Sequence, residues 1–136
     1  MEKNLSLVKE KFKELPNNIE AEQAVIGSLL VNNEIYDEIS LILDPEIQAT
    51  FGDKFFDPMH QKIFNAIRSM IFKGMLANPI TLKNYFKDEK DDLNVPEYLV
   101  KITKFSTSIR QAVEYSKIIY DMFVRRELIK ISEKTI

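Results

Sequence analysis

Cysteine is absent from the 136 residues, so the chain can form no disulfide and offers no thiolate as nucleophile or ligand. That absence fits a cytoplasmic protein. Glycine is nearly absent too, at three residues, and no Gly-x4-Gly-Lys-Ser/Thr or Gly-x-Gly run occurs. A backbone cradle for phosphates is therefore excluded, and hydrolysis of a nucleotide is not expected of this stretch. Five prolines with three glycines are too few for a loop-rich or disordered chain. A single histidine leaves no basis for a zinc site, which needs three or four converging ligands. Long hydrophobic runs are missing: residues 24–31 make the longest, broken by Gly27 and Ser28. That is far below the ~20 residues that span a bilayer. The first 14 residues are charged throughout, without the apolar region of a signal peptide. Excess charge of either sign is also lacking. The net charge is −2 and the pI about 5.5, not the basic footprint of a free-standing nucleic-acid binder.

What is present is helical patterning. Residues 1–15 carry Leu5, Val8, Phe12 and Leu15 as a thin stripe among lysines and glutamates, read as a flexible tail that could become helical on a partner. Pro16 and Asn17-Asn18 punctuate it, and an Asn caps the next helix. That helix, over residues 19–31, has a broad apolar stripe of Ala21, Ala24, Val25, Ile26, Leu29 and Leu30. Asn32-Asn33 makes a turn, and residues 34–43 form a second helix ended by Asp44-Pro45. The stretch 44–56 is irregular. Asp57-Pro58 is the strongest start signal, an Asp N-cap with proline at N1, and Gly74 stops that helix. A loop with Asn78-Pro79 leads to a short helix over residues 81–87, and residues 88–92 are a solvated loop. Pro96 opens a further helix. From Ser108 to the end there is no Pro or Gly, and ~1.5 Å per residue gives this helix about 40 Å. Its apolar residues fall in two stripes: Ile109, Val113, Ile119 and Phe123 on one side, and Tyr115, Ile118, Met122 and Ile129 turning away. Two stripes require two packing partners. The pattern runs to the last residue without a cap, as a cut helix does. No segment alternates with period 2. The expected fold is all-α, a compact bundle of about five to six helices plus a long C-terminal helix.

Few residues offer chemistry. His60, one turn into the Asp57 helix, reads as a packed or hydrogen-bonded residue beside its cap rather than as a metal ligand or acid–base group. Glu20 and Glu22 point about 200° apart on a helix, so they form no acid–base couple; they sit in the first turn, where the helix dipole favours anions. Arg125-Arg126 with Lys130 and Lys134 read as a solvated, dipole-matched helix end, with phosphate contact the lesser reading because no aromatic platform accompanies them. Gly27 inside a helix implies a close crossing by another helix. Phe51, Phe55 and Phe56 read as core anchors, or as a partner surface if exposed.

Residues 20–27, EAEQAVIG, resemble the opening of the N-terminal domain of bacterial replicative DNA helicases, the DnaB family. Phe56-Asp57-Pro58 with His60, Ile63, Phe64 and Ile67 is similar to that family's aromatic-Asp-Pro-x-His segment. Gly74 and Asn78-Pro79-Ile80-Thr81-Leu82, then Tyr98-Leu99, then residues 115–129, YSKIIYDMFVRRELI, resemble its later segments in the same order. Two features depart from the pattern: the 44–56 stretch is long, and Asn94-Val95-Pro96-Glu97 stands where relatives have Gly-Gly. The resemblance implies a fragment of a hexameric, ATP-driven helicase of the replication fork. Its N-terminal domains form a collar, a trimer of dimers, that also docks the primase C-terminal domain. ATP, Mg and most DNA contacts belong to a C-terminal ATPase domain outside this chain. The expected division is a tail (1–15), a globular helical domain (16–107) and the first limb of a helical hairpin (108–136). No catalytic, cofactor or metal residue is expected here. Glu20 and Tyr98 match positions on or near the primase-facing surface, and Ile129 matches a hairpin-interface position. Tyr98 reads equally as an amphipathic core tyrosine with a wet hydroxyl. The isolated chain is expected to be monomeric or weakly dimeric, non-membrane, cytoplasmic and nucleoid-associated. Two alternatives remain: a helical nucleic-acid-binding module, or the primase-side helicase-interaction domain, which is a similar bundle.

Overall fold

The computed structural model describes residues 15–43, 54–86 and 94–134. The expected tail up to residue 14, most of the 44–56 stretch with Phe51, and the 88–92 loop lie outside the described residues. Helix α1 is Ile19–Val31, followed by a 3-10 turn Asn33–Ile35 and α2, Tyr36–Leu43. Helix α3 is Pro58–Phe72, α4 is Pro79–Lys83 and α5 is Val95–Ile102 with a 3-10 turn Thr103–Phe105. Helix α6, Ile109–Lys134, is the long C-terminal helix. No strand occurs among the described residues, so the all-α expectation holds.

Local chemistry sets most of the boundaries. Asn18 caps α1 by accepting from the Ala21 N–H at 3.0 Å. Asp57 caps α3 by accepting from the Met59 and His60 N–H groups, with Pro58 at N1 where a missing donor costs nothing. Gly74 takes φ +74°, the left-handed C′ position that ends α3. Helix α4 starts two residues earlier than expected. Asn78, taken from sequence as loop, is its N-cap, in a reciprocal box with Thr81.

Helix α1 is the centre of the bundle and packs against α3, α5, α6 and both 3-10 turns. From Ala21 to Leu30 every residue but Gln23 is buried, so the expected stripe is nearly a full cylinder. A helix covered on all sides has no wet face to keep polar. Gly27 marks the tightest crossing: a Cβ there would overlap the Ile102 carbonyl oxygen at the end of α5. Asn33 staples the loop after α3 to the α1–α2 turn. Its amide donates to the Leu29 and Ala77 carbonyls and accepts from the Ala77 N–H, at 2.7–2.8 Å.

The long helix differs from its sequence reading. Its buried line is Ala112, Ser116, Ile119 and Arg126, whereas Ile109 is 42% exposed. The first two of these are small, and Ser116 returns its hydroxyl to the Ala112 carbonyl. Tyr115 and Ile118, expected to turn away, flank the core instead.

Candidate functional site

Three helices converge on one polar cluster. Helix α1 carries Glu22 inward, with its side chain about 2% exposed. Glu22 Oε2 accepts from the Phe56 N–H at 2.7 Å and Oε1 from the Asp57 N–H at 3.3 Å, so the carboxylate receives the chain just before α3 begins. His60, fully buried on α3, places Nδ1 at 2.9 Å from Glu22 Oε1. Its Nε2 lies 2.6 Å from the Tyr98 hydroxyl on α5, with the rings stacked 14° from parallel. A carboxylate only accepts, so Nδ1 donates to Glu22, and in the neutral imidazole Nε2 accepts the Tyr98 proton. Gln23 Nε2 donates to the same hydroxyl at 3.5 Å. Burial raises the Tyr98 phenol above its ordinary value, the Gln23 bond opposes this, and the negative Asp57 and Glu22 add to it. Tyr98 therefore remains a donor at neutral pH.

The hydroxyl of Tyr98 is thus turned toward the buried His60 and bonded to it. The half-buried ring forms one wall of an open pocket of about 140 Å³, together with Asp57, Met59 and Val95. That volume suits one side chain, far below the roughly 300–1,000 Å³ of small-molecule sites. Glu20 is exposed on the first turn of α1, one helical turn before Gln23, which meets Tyr98. Among the described contacts it is Gln23, not Glu20, that meets Tyr98. Ile129 is half-buried near the distal end of α6, and none of the described contacts joins it to that pair.

The basic end of α6 differs from its expected, wholly solvated state. Arg125 pairs with Asp121 at 2.9 Å and Lys130 with Glu127 at 3.3 Å on the surface. Arg126, however, is buried, donating to the Pro16 carbonyl at 2.8 Å and the Lys54 carbonyl at 2.6 Å. Its guanidinium also lies over the Phe56 ring at 5.5 Å. Burial lowers its pKa from the ordinary value, against the pull of Glu22 and Glu127. Phe55 is a core anchor, as read from sequence.

Sequence reasoning missed the burial of Glu22 and Arg126, though each had a signal. Glu22 stands four residues before Ile26 and seven before Leu29, on the inner face of α1. Arg126 continues the seven-residue spacing of Ala112 and Ile119. The network of carboxylate, imidazole and phenol ties α1, α3 and α5 together, with Glu22 and His60 beneath the surface and the half-buried Tyr98 ring reaching it. Among the described residues no group of three His, Asp or Glu could hold a metal ion, and no helix is long and apolar enough to cross a membrane.

Comparison with known proteins agrees with this architecture. The profile of the family described as "DnaB-like helicase N terminal domain" matches residues 14–121. The chain is 39% identical over 124 residues to the replicative DNA helicase DnaB of Rickettsia felis, covering 90% of this chain and 24% of that protein. It is 32% identical over 136 residues to the replicative DNA helicase DnaB of Buchnera aphidicola, covering 98% of this chain and 28% of that protein. The chain thus spans about a quarter of the length of the curated relatives it matches. The crystal structure of the N-terminal domain of DnaB helicase from Mycobacterium tuberculosis superposes with a TM-score of 0.76, at 20% identity, covering 89% of this chain and 81% of that one.

Proposed function

This chain belongs to the family of DnaB-like helicase N-terminal domains, and we propose that it is the non-catalytic assembly and docking domain of a replicative DNA helicase. In this reading the intact protein is a hexamer that uses ATP to unwind duplex DNA at the replication fork, in the cytoplasm and at the nucleoid. ATP, Mg and most DNA contacts belong to a separate motor domain. The residues present here do not fit such a group: the whole chain has three glycines and no phosphate-binding loop.

The observation that carries the assembly half of the reading is the distal part of α6. Beyond Arg126 no described residue is buried, and Leu128 and Ile131 are 60% and 58% exposed. Exposed apolar residues on a helix fit a first hairpin limb (residues 108–136) that packs on a neighbouring subunit, and Ile129, half-buried beside Leu128, would join that interface. In this reading the chain divides into a globular body over residues 16–107 and a tail over residues 1–15. The docking half rests on the Tyr98 ring, which with Asp57, Met59 and Val95 lines a one-residue pocket suited to an anchoring side chain of the primase C-terminal domain, and on Glu20, exposed on the first turn of α1.

Sedimentation equilibrium of the chain alone, and with the primase C-terminal domain, tests both halves. We expect a monomer or weak dimer alone and a heavier species with primase that Tyr98→Ala reduces. Absence of any heavier species removes the docking reading. Binding instead to single-stranded DNA, with affinity falling steeply in salt, would favour a nucleic-acid module.

A further inference from the structure

Helix α6 is held at its outer end by a cation. Along it the buried positions are Ala112, Ser116, Ile119 and Arg126, and among the described residues none follows. The last buried position among the described residues of the helix is therefore a guanidinium rather than an apolar side chain. Its two nitrogens reach carbonyls 110 and 72 residues away in sequence, those of Pro16 and Lys54. Lys54 reaches back in turn, its Nζ 4.7 Å from the centre of the Phe123 ring, one turn before Arg126. Phe56 lies beneath the guanidinium.

A greasy contact at this point would hold the helix by burial and tolerate some rotation or sliding. A planar fork to two fixed carbonyls tolerates neither, because its donors have set directions. Both carbonyls also border segments that the rest of the cluster pins. Pro16 lies two residues before the α1 cap, and Lys54 stands just before Phe56 and Asp57, whose N–H groups Glu22 receives.

We propose that Arg126 is a positioning residue that sets the direction and rotation with which the distal part of α6 leaves the body. Where the assembly reading above holds, this fixes how Ile129, one turn further on, is presented to a neighbouring subunit.

Amide hydrogen exchange of the full chain, compared with Arg126→Gln and Arg126→Lys, tests the proposal. In Arg126→Gln, exchange over residues 120–134 should rise roughly tenfold to a hundredfold, the size expected for losing one or two charge-assisted hydrogen bonds. The amides of α1 and α3 should keep their protection. Arg126→Lys should fall between, since an ammonium keeps the charge but not the fork. Unchanged exchange over residues 120–134, or equal acceleration throughout the chain, overturns the proposal.

A second measurement serves if Arg126→Gln does not fold. The chain lacks cysteine, so spin labels at Lys83→Cys and Glu133→Cys are unambiguous. Their distance distribution, taken with labelled chain diluted into unlabelled chain, should widen in Arg126→Lys; an unchanged width overturns the proposal. Ile129→Asp separates the two claims. If it leaves sedimentation unaltered while the Arg126 variants still loosen α6, the positioning role stands and the assembly reading falls.

Discussion

Replacing Glu22 by Gln tests whether the buried cluster organises the body. Glu22 receives three donors: the Phe56 N–H, the Asp57 N–H and His60 Nδ1. Glutamine keeps one acceptor oxygen and turns an NH2 group toward at least one of these donors. One or two donors are then left unpaired in a site with almost no solvent. Each buried unpaired group costs about 1–3 kcal/mol. The three donors share one site, so their losses do not add fully, and about 3 kcal/mol is expected in total. The competing picture, a solvated first-turn carboxylate favoured by the helix dipole, gives only about 0.3–1 kcal/mol. Urea unfolding followed by circular dichroism distinguishes them. With a slope of about 1–3 kcal/mol/M for a small domain, 3 kcal/mol moves the midpoint down by roughly 1–3 M. The slope itself should not change. A midpoint shift corresponding to less than about 0.5 kcal/mol, the range of ordinary surface substitutions, would refute the reasoning.

Three further outcomes rest on the same geometry. Gly27→Ala should destabilise the domain, although Ala is the better helix former by about 1 kcal/mol. The new Cβ meets the Ile102 carbonyl, backbone that cannot step aside, so a raised midpoint would remove the close crossing. Tyr98 has its pKa raised by burial, so its folded value lies above an unfolded value of about 10. Its contribution is complete below pH ~10 and declines as pH rises through the folded value. Wild type should therefore lose more stability than Tyr98→Phe on going to alkaline pH, and parallel pH profiles would contradict this. Ile129→Asp, on a half-buried position past the last buried residue, should leave the urea midpoint within about 0.5 kcal/mol of wild type. It should still weaken any dimer seen by sedimentation, and a dimer that persists unchanged would take Ile129 out of the interface.

Helix positions were legible in the sequence because their signals are local. An Asn18 or Asp57 side chain caps a backbone two or three residues away, Pro58 sits where no donor is needed, and Gly74 supplies a positive φ. Such interactions involve only neighbours in the chain, so reading neighbours suffices. The family resemblance was legible for a related reason: its segments recur in order along the chain. The start of α4 was misplaced because Asn78-Pro79 suits a loop and a helix cap equally, and the Thr81 hydroxyl decides between them.

The roles of individual polar residues were not legible in this way. Glu22 in a first turn and Arg126 in a basic stretch look like solvated surface by their immediate neighbours, and Tyr98 on a short helix reads equally as a surface residue or a core tyrosine with a wet hydroxyl. Folding buries Glu22 and Arg126 and turns the Tyr98 hydroxyl toward the buried His60, because each finds partners 34 to 110 residues away. The all-α architecture, the caps and the central apolar helix were thus determined by the sequence itself. Only the tertiary structure decided which charges lie inside, since a buried charge is stable only beside partners that folding brings to it.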